Sequence, residues 1–194
     1  NGTSAACPVA AGVAALVFSV APGLTAEQAR NILEHTADKV QVEGGAYDPV
    51  TGHNDRYGHG RVNAYRAVQA AQAGITWPSP IKDFSYDAVL GNAVMTWVIP
   101  SSDVVGILIV RSKGPMLFTP IDGRTYAVGE QIDANTTVLA NDYLQSYNDE
   151  NSLSGEYTYG VFTYNSDYYY SLGRKNVVQA KPVSNSPLAS VTAS

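Results

Sequence analysis

The spacing of apolar residues changes part-way along this chain. From Ser4 to about Val20 almost every residue is apolar or small, which reads as a helix without a polar face, the pattern of a helix buried in a larger body. Ala21-Pro22-Gly23 ends that run. A second helix begins at Thr25, because Thr25-Ala26-Glu27-Gln28 has the form of a capping box. Ala29, Ile32, Leu33, Thr36 and Ala37 then share one helical face. Gly44-Gly45 and the polar stretch from Asp48 to Gly60 read as loop. A third helix is expected from Asn63 to Ala73, with Ala64, Ala67, Val68 and Ala71 inward.

Beyond Trp77-Pro78-Ser79-Pro80, a short stiff connector, the period becomes two. Ala93–Ile99, Val104–Val110 and Tyr157–Tyr164 read as strands, with turns at Gly91-Asn92, Asp122-Gly123 and Ser154-Gly155. The expected organisation is a helical part over residues 1–75, a linker at 76–80, an antiparallel β-sandwich over 81–183 and a small, polar tail at 184–194.

Composition changes this picture little. Hydrophobic residues make up 45% and charged residues 15% of 194, an ordinary globular balance. The net charge is −5 and no dense Lys/Arg run occurs, so neither nucleic acid nor an anionic membrane is expected as partner. No stretch is long and apolar enough to span a bilayer. Cys7 stands alone, which rules out a disulfide within the chain, and is expected to be a small buried hydrophobe.

The chemistry concentrates at the start. Ser4 follows Gly2 and Thr3 and opens the first helix, where unpaired amides and the helix dipole favour negative charge. Taken alone, this is also what an ordinary helix cap looks like. The longer run Gly2-Thr3-Ser4-Ala5-Ala6-Cys7-Pro8-Val9-Ala10-Ala11-Gly12 resembles the serine motif of the subtilisin-like (subtilase) proteases, GTSxAxPxxxG, at every fixed position. Pro22 to Leu33, Thr36-Ala37-Asp38 and Tyr57 to Val68 are similar to the segments that follow it in that family. The resemblance implies a multi-domain chain whose helical part is the C-terminal part of an α/β subtilisin-like domain.

It further implies that Ser4 is the nucleophile of a secreted serine endopeptidase and that its own N–H is one oxyanion donor. The family's Asp, His and second oxyanion donor, an Asn, all precede the serine, and only three residues precede Ser4 here. They would have to come from an upstream segment, and this chain alone is expected to be inactive. The expected partners are that upstream segment and a protein or peptide substrate. No cofactor is expected, although the resemblance leaves room for a structural calcium ion. Asp48, Asn54 and Asp55 could contribute to one, but the stretch reads first as a solvated loop. Among the histidines, His35 is expected near the surface of its helix, His53 in the polar loop and His59 in a structural role, none as the base.

The second part resembles a fibronectin type III domain. Trp97 stands where the second-strand tryptophan would fall, Val105 to Arg111 is similar to the third strand, and Tyr157 to Tyr164 to the sixth, with Tyr157 at a tyrosine-corner position. Eight of the 13 tyrosines lie between Tyr143 and Tyr170, and Tyr168-Tyr169-Tyr170 is the part expected to be exposed. Two other readings stay open: a non-catalytic binding module, and a pseudoprotease, in which only the sandwich is functional.

Overall fold

A computed structural model describes residues 2–40, 46–89, 92–100, 103–150 and 155–180. The Gly44-Gly45 stretch, the tips of the turns at Gly91 and Ser154, and the tail at 184–194 lie outside the described residues.

Three helices come first: α1 (Thr3–Val20), α2 (Ala26–Thr36) and α3 (Ala64–Gln72). The capping box at α2 is complete. Gln28 N donates to Thr25 Oγ1, and Thr25 N donates to Gln28 Oε1. Asn63 caps α3 by accepting from Arg66 N. The helices share a small core of Val13, Val17, Ala29, Ile32, Ala67, Ala70 and Ala71. Alanines dominate α3 because its backbone lies close to α1. Only one stripe of α1 is covered. Val9 is 57% exposed and Leu16 50%, so much of this apolar helix lacks cover among the described residues.

Seven strands follow: β1 (Lys82–Val89), β2 (Asn92–Val98), β3 (Gly106–Lys113), β4 (Thr136–Asp142), β5 (Ser146–Asp149), β6 (Gly155–Tyr164) and β7 (Arg174–Ala180). They form an antiparallel sheet β1-β2-β5 and a second antiparallel sheet β4-β3-β6-β7. This split is the fibronectin type III-like arrangement of a β-sandwich. The second, third and sixth strands coincide with the three runs expected from the sequence. Trp97 lies in the inter-sheet core with Met95, Ile107, Ile109 and Val161, and its indole N–H donates to Leu144 O.

The larger sheet is buried on both faces, which simple alternation does not anticipate. Ile107, Ile109, Tyr159 and Val161 face the sandwich core. Leu108, Val110, Phe162 and Tyr164 face the other way, into a second core with Met116, Phe118 and Tyr126 from the long β3–β4 connection and with Val50 from the helical part. That connection shields the sheet's outer face, and the sheet's free edge as well. Val138 N donates to Glu130 O, and Gly129 N donates to Val138 O.

The three consecutive tyrosines are packed, contrary to the expectation of exposure. Tyr168 has φ 58°, a left-handed turn, so the three rings leave the chain in different directions. Tyr168 stacks on Tyr164, Tyr169 meets the edge of Trp77, and Tyr170, 2% exposed, donates its hydroxyl to Arg124 O. Tyr157 lies with its ring beneath the Arg111 guanidinium. Residues 151–154, immediately before its strand, are outside the described residues.

One buried ion pair bolts the two sheets together. Asp149 on β5 is 1% exposed; it accepts from Arg111 of β3 at 2.6 Å and from the Tyr159 hydroxyl of β6 at 2.8 Å. Burial and the neighbouring Asp149 charge both push the Tyr159 hydroxyl up, so it stays protonated and donates. Removing one member strands the others without water. Asp149→Ala is expected to cost about 3–5 kcal/mol, read as a lower urea midpoint of Trp97 fluorescence. Replacing Arg111 and Asp149 together by Met and Leu is expected to recover most of that loss.

Candidate functional site

Ser4 is the second residue of α1. The helix is capped by Gly2, at φ 146° and ψ 175°, a conformation open to glycine and strained for other residues. Glycine has no side chain to cap with, and no acidic residue occupies the first turn. Ser4 is therefore not the helix cap. Its side chain is exposed, and no hydrogen bond to it is present among the described residues. The amide end of the helix beside it carries no neutralising carboxylate. A hydroxyl so placed can reach a substrate carbonyl, and nearby amides can receive the resulting negative charge.

Cys7, one turn on, is exposed and free rather than buried. The reason is the missing cover over the first turns of α1, where Gly2 and residues 4–9 are all exposed.

None of the three histidines is hydrogen-bonded to Ser4. His53 lies 3.8 Å from Asp55 and edge-on to His59 at 5.4 Å. His59 Nε2 lies 3.8 Å from Glu34 Oε2. Its pKa is lowered by burial, against the pull of Glu34 and with a further push from Lys39 and His53. Asp48, Asn54 and Asp55 line one concavity, where the first two are engaged by protein groups. Asp48 Oδ1 accepts from Val50 N and Thr51 N while Oδ2 pairs with Lys175. Asn54 Oδ1 accepts from Arg56 N and Tyr57 N, and Asp55 points into solvent.

His35, expected near the surface, is half-buried where the helices meet the sandwich, stacked on Trp77 with ring centroids 4.7 Å apart. Its Nδ1 lies 2.8 Å from Asn31 O and its Nε2 lies 3.1 Å from Tyr170 O. One turn earlier on α2, Asn31 is 2% exposed and donates to Trp77 O and Ser79 Oγ, both at 3.0 Å. Trp77 in turn donates to Asp122 at 2.7 Å. The connector is therefore packed, with Ser79 only 3% exposed. Beside it, the helical part's loop enters the second core. Gly173 N donates to Val50 O at 2.8 Å, and a Cβ on Gly173 would lie 2.5 Å from the Phe162 ring. Nothing in the local residue pattern marks this junction. Asn31 and His35 look like ordinary polar helix residues, and only their spacing of four marks a shared face.

Burial lowers the His35 pKa from 6.5 to about 4, against the opposing pull of the two carbonyls and Asp122 and with a small push from His59. An unfolded chain takes up this proton first. The contribution is thus full above about pH 6.5, is lost as the pH falls, and levels off below about pH 4. The loss is expected to be about 3 kcal/mol. Urea unfolding at pH 7 and pH 4, compared with a His35→Gln variant lacking this step, checks it.

The subtilase family model matches residues 1–60. A calcium-dependent protease of Trichormus variabilis is 42% identical over 85 residues, 44% of this chain and 12% of that protein. Proprotein convertase subtilisin/kexin type 7 of Mus musculus is 39% identical over 83 residues, 40% of this chain and 10% of that protein. Kexin of Candida albicans is 34% identical over 80 residues, 40% of this chain and 8% of that protein. The chain thus spans about a tenth of the length of these relatives. Among solved structures, the fibronectin type III domain of human fibronectin type III domain containing protein 3 aligns at TM-score 0.38 and 15% identity, over 58% of this chain and 94% of that one. With the serine motif intact at the start of α1 and the strand order of the two sheets established, the helical part of this chain is similar to the subtilase family over residues 1–60, and a fibronectin type III-like sandwich follows it.

Proposed function

We propose that this chain carries the nucleophile of a secreted subtilisin-like endopeptidase, and that Ser4 is that nucleophile. The observation that supports it best is the placement of Ser4: exposed, uncapped, and at the amide end of an apolar helix within an intact serine motif. In this reading Ser4 Oγ attacks the scissile carbonyl and its proton passes to a histidine. The oxyanion is received by the Ser4 N–H and an asparagine side chain. The amine leaves with the proton, and water then hydrolyses the acyl-enzyme.

The histidine, its orienting aspartate and the asparagine come from sequence upstream of Ser4 that these 194 residues do not include. The same upstream part would cover Val9, Leu16 and Val20, which α1 leaves exposed. No helix among the described residues is long and apolar enough to cross a membrane. The substrate is a protein or peptide. Without the upstream groups, turnover by this chain is expected to fall by roughly 10⁴-fold to 10⁶-fold, as it does when triad members are lost.

A fluorophosphonate probe applied to the intact protein, followed by peptide mapping, tests the assignment. Labelling at Ser4 and loss of hydrolysis in Ser4→Ala are expected. Labelling of a different serine, or hydrolysis surviving in Ser4→Ala, contradicts it. An intact protein that neither labels nor cleaves would be a pseudoprotease. In a companion assay the 194-residue chain is expected to show no peptide hydrolysis by itself.

A further inference from the structure

A concavity of about 460 Å³ opens between the two parts of the molecule. Its walls come from α2, from the 51–59 loop and from the start of β7. Half of its eight lining residues are basic types: Arg30, His53, His59 and Arg174. Glu34 is its sole carboxylate. That carboxylate is shared, 3.8 Å from Arg30 Nε and 3.8 Å from His59 Nε2, so it offsets only part of the charge around it.

Many cations among the described residues have a carboxylate partner. Arg30 meets Glu27 and Glu34, Arg61 and Arg66 share Asp38, Lys82 meets Glu27, Arg111 meets Asp149, Arg124 meets Glu130 and Lys175 meets Asp48. Arg174 has none among the described residues. Its Nε donates to Ile81 O at 3.5 Å, its side chain lines the cleft, and no hydrogen bond to its two terminal nitrogens is present among the described residues. The guanidinium fork matches a carboxylate or phosphate with two parallel hydrogen bonds. The two histidines, edge-to-face with each other, line the same cleft and offer ring nitrogens to an anion. Leu172 gives the cleft an apolar wall, and clefts at domain boundaries of this size commonly hold ligands.

We infer that this inter-domain cleft binds an oxyanion-bearing group, a carboxylate of an acidic peptide or a phosphate, with Arg174 and Arg30 as the anchoring cations and His53 and His59 completing the shell. The assignment is independent of the role of Ser4.

The chain has three histidines, so their imidazole C–H signals in the NMR spectrum report each position separately. Inorganic phosphate is titrated in one arm, and a short Asp/Glu peptide with blocked termini in another. Sodium chloride at matched ionic strength is the control. Saturable shifts of His53 and His59 are expected in at least one arm, with His35, enclosed at the junction, unmoved. Tighter saturation by the peptide identifies a protein carboxylate as the ligand, and tighter saturation by phosphate identifies a phosphate group. Arg174→Gln is expected to weaken binding about tenfold or more, as for loss of a charged hydrogen bond. If that variant loses its fold, Arg30→Gln carries the same test, because its side chain is 57% exposed. Shifts that follow chloride without saturating, or saturable shifts unchanged in a folded Arg174→Gln or Arg30→Gln variant, overturn the proposal.

Discussion

Two polar side chains share one face of α2: Asn31 is buried and His35 half-buried against the connector and the sandwich, and their hydrogen bonds are met there. An unpaired buried amide or imidazole costs about 1–3 kcal/mol, so this face of α2 fits one arrangement well and others poorly. Asn31 is satisfied by Trp77 O and Ser79 Oγ, and His35 lies between Asn31 O and Tyr170 O with its ring on Trp77. The rest follows from that fixture. The connector cannot swing, because Thr163 Oγ1 also donates to Ser79 O and Asn165 to Thr76 O. Val50 can then enter the second core, and Lys175 can reach Asp48. The anion cleft exists because α2 and β7 are held facing each other.

The polar junction contrasts with the other end of the helical part. Through Val13 and Val17, α1 packs on α2 and α3, but its first turns carry Ser4 and Cys7 into solvent. An apolar helix in that state costs solubility unless something else covers it. The arrangement makes sense when the serine must sit at a surface that other chain segments complete, while α2 is fixed from the opposite side by the sandwich. Its buried Arg111–Asp149–Tyr159 cluster and its doubly covered sheet make it a rigid wall.

Much of this was legible in the residues, and for local reasons. The Thr25–Gln28 box, the Asn63 cap and the strand around Trp97 each announce themselves within a few positions. The serine motif did so as well. What escaped was decided by distant partners. Strands β1, β4, β5 and β7 are polar at half or more of their positions, so no apolar run marks them. The alternating Met116, Phe118 and Pro120 look like loop until the sheet they cover is known. Tyr168 to Tyr170 read as surface because a left-handed turn at Tyr168 is invisible in the sequence. His35 read as surface because the groups that enclose it, Trp77 and Tyr170, come from 42 and 135 residues further along.

The sandwich and α2 are energetically coupled through the polar face of α2. Native-state hydrogen exchange of the 194-residue chain, wild type and Asn31→Ala, reads this coupling. Truncating Asn31 leaves Ser79 Oγ and Trp77 O without their donor. Protection is expected to be lost together, by about tenfold, in α2 and in the 163–171 segment that closes on the connector from the sandwich side. Faster exchange confined to α2, with the sandwich segment unchanged, would contradict it.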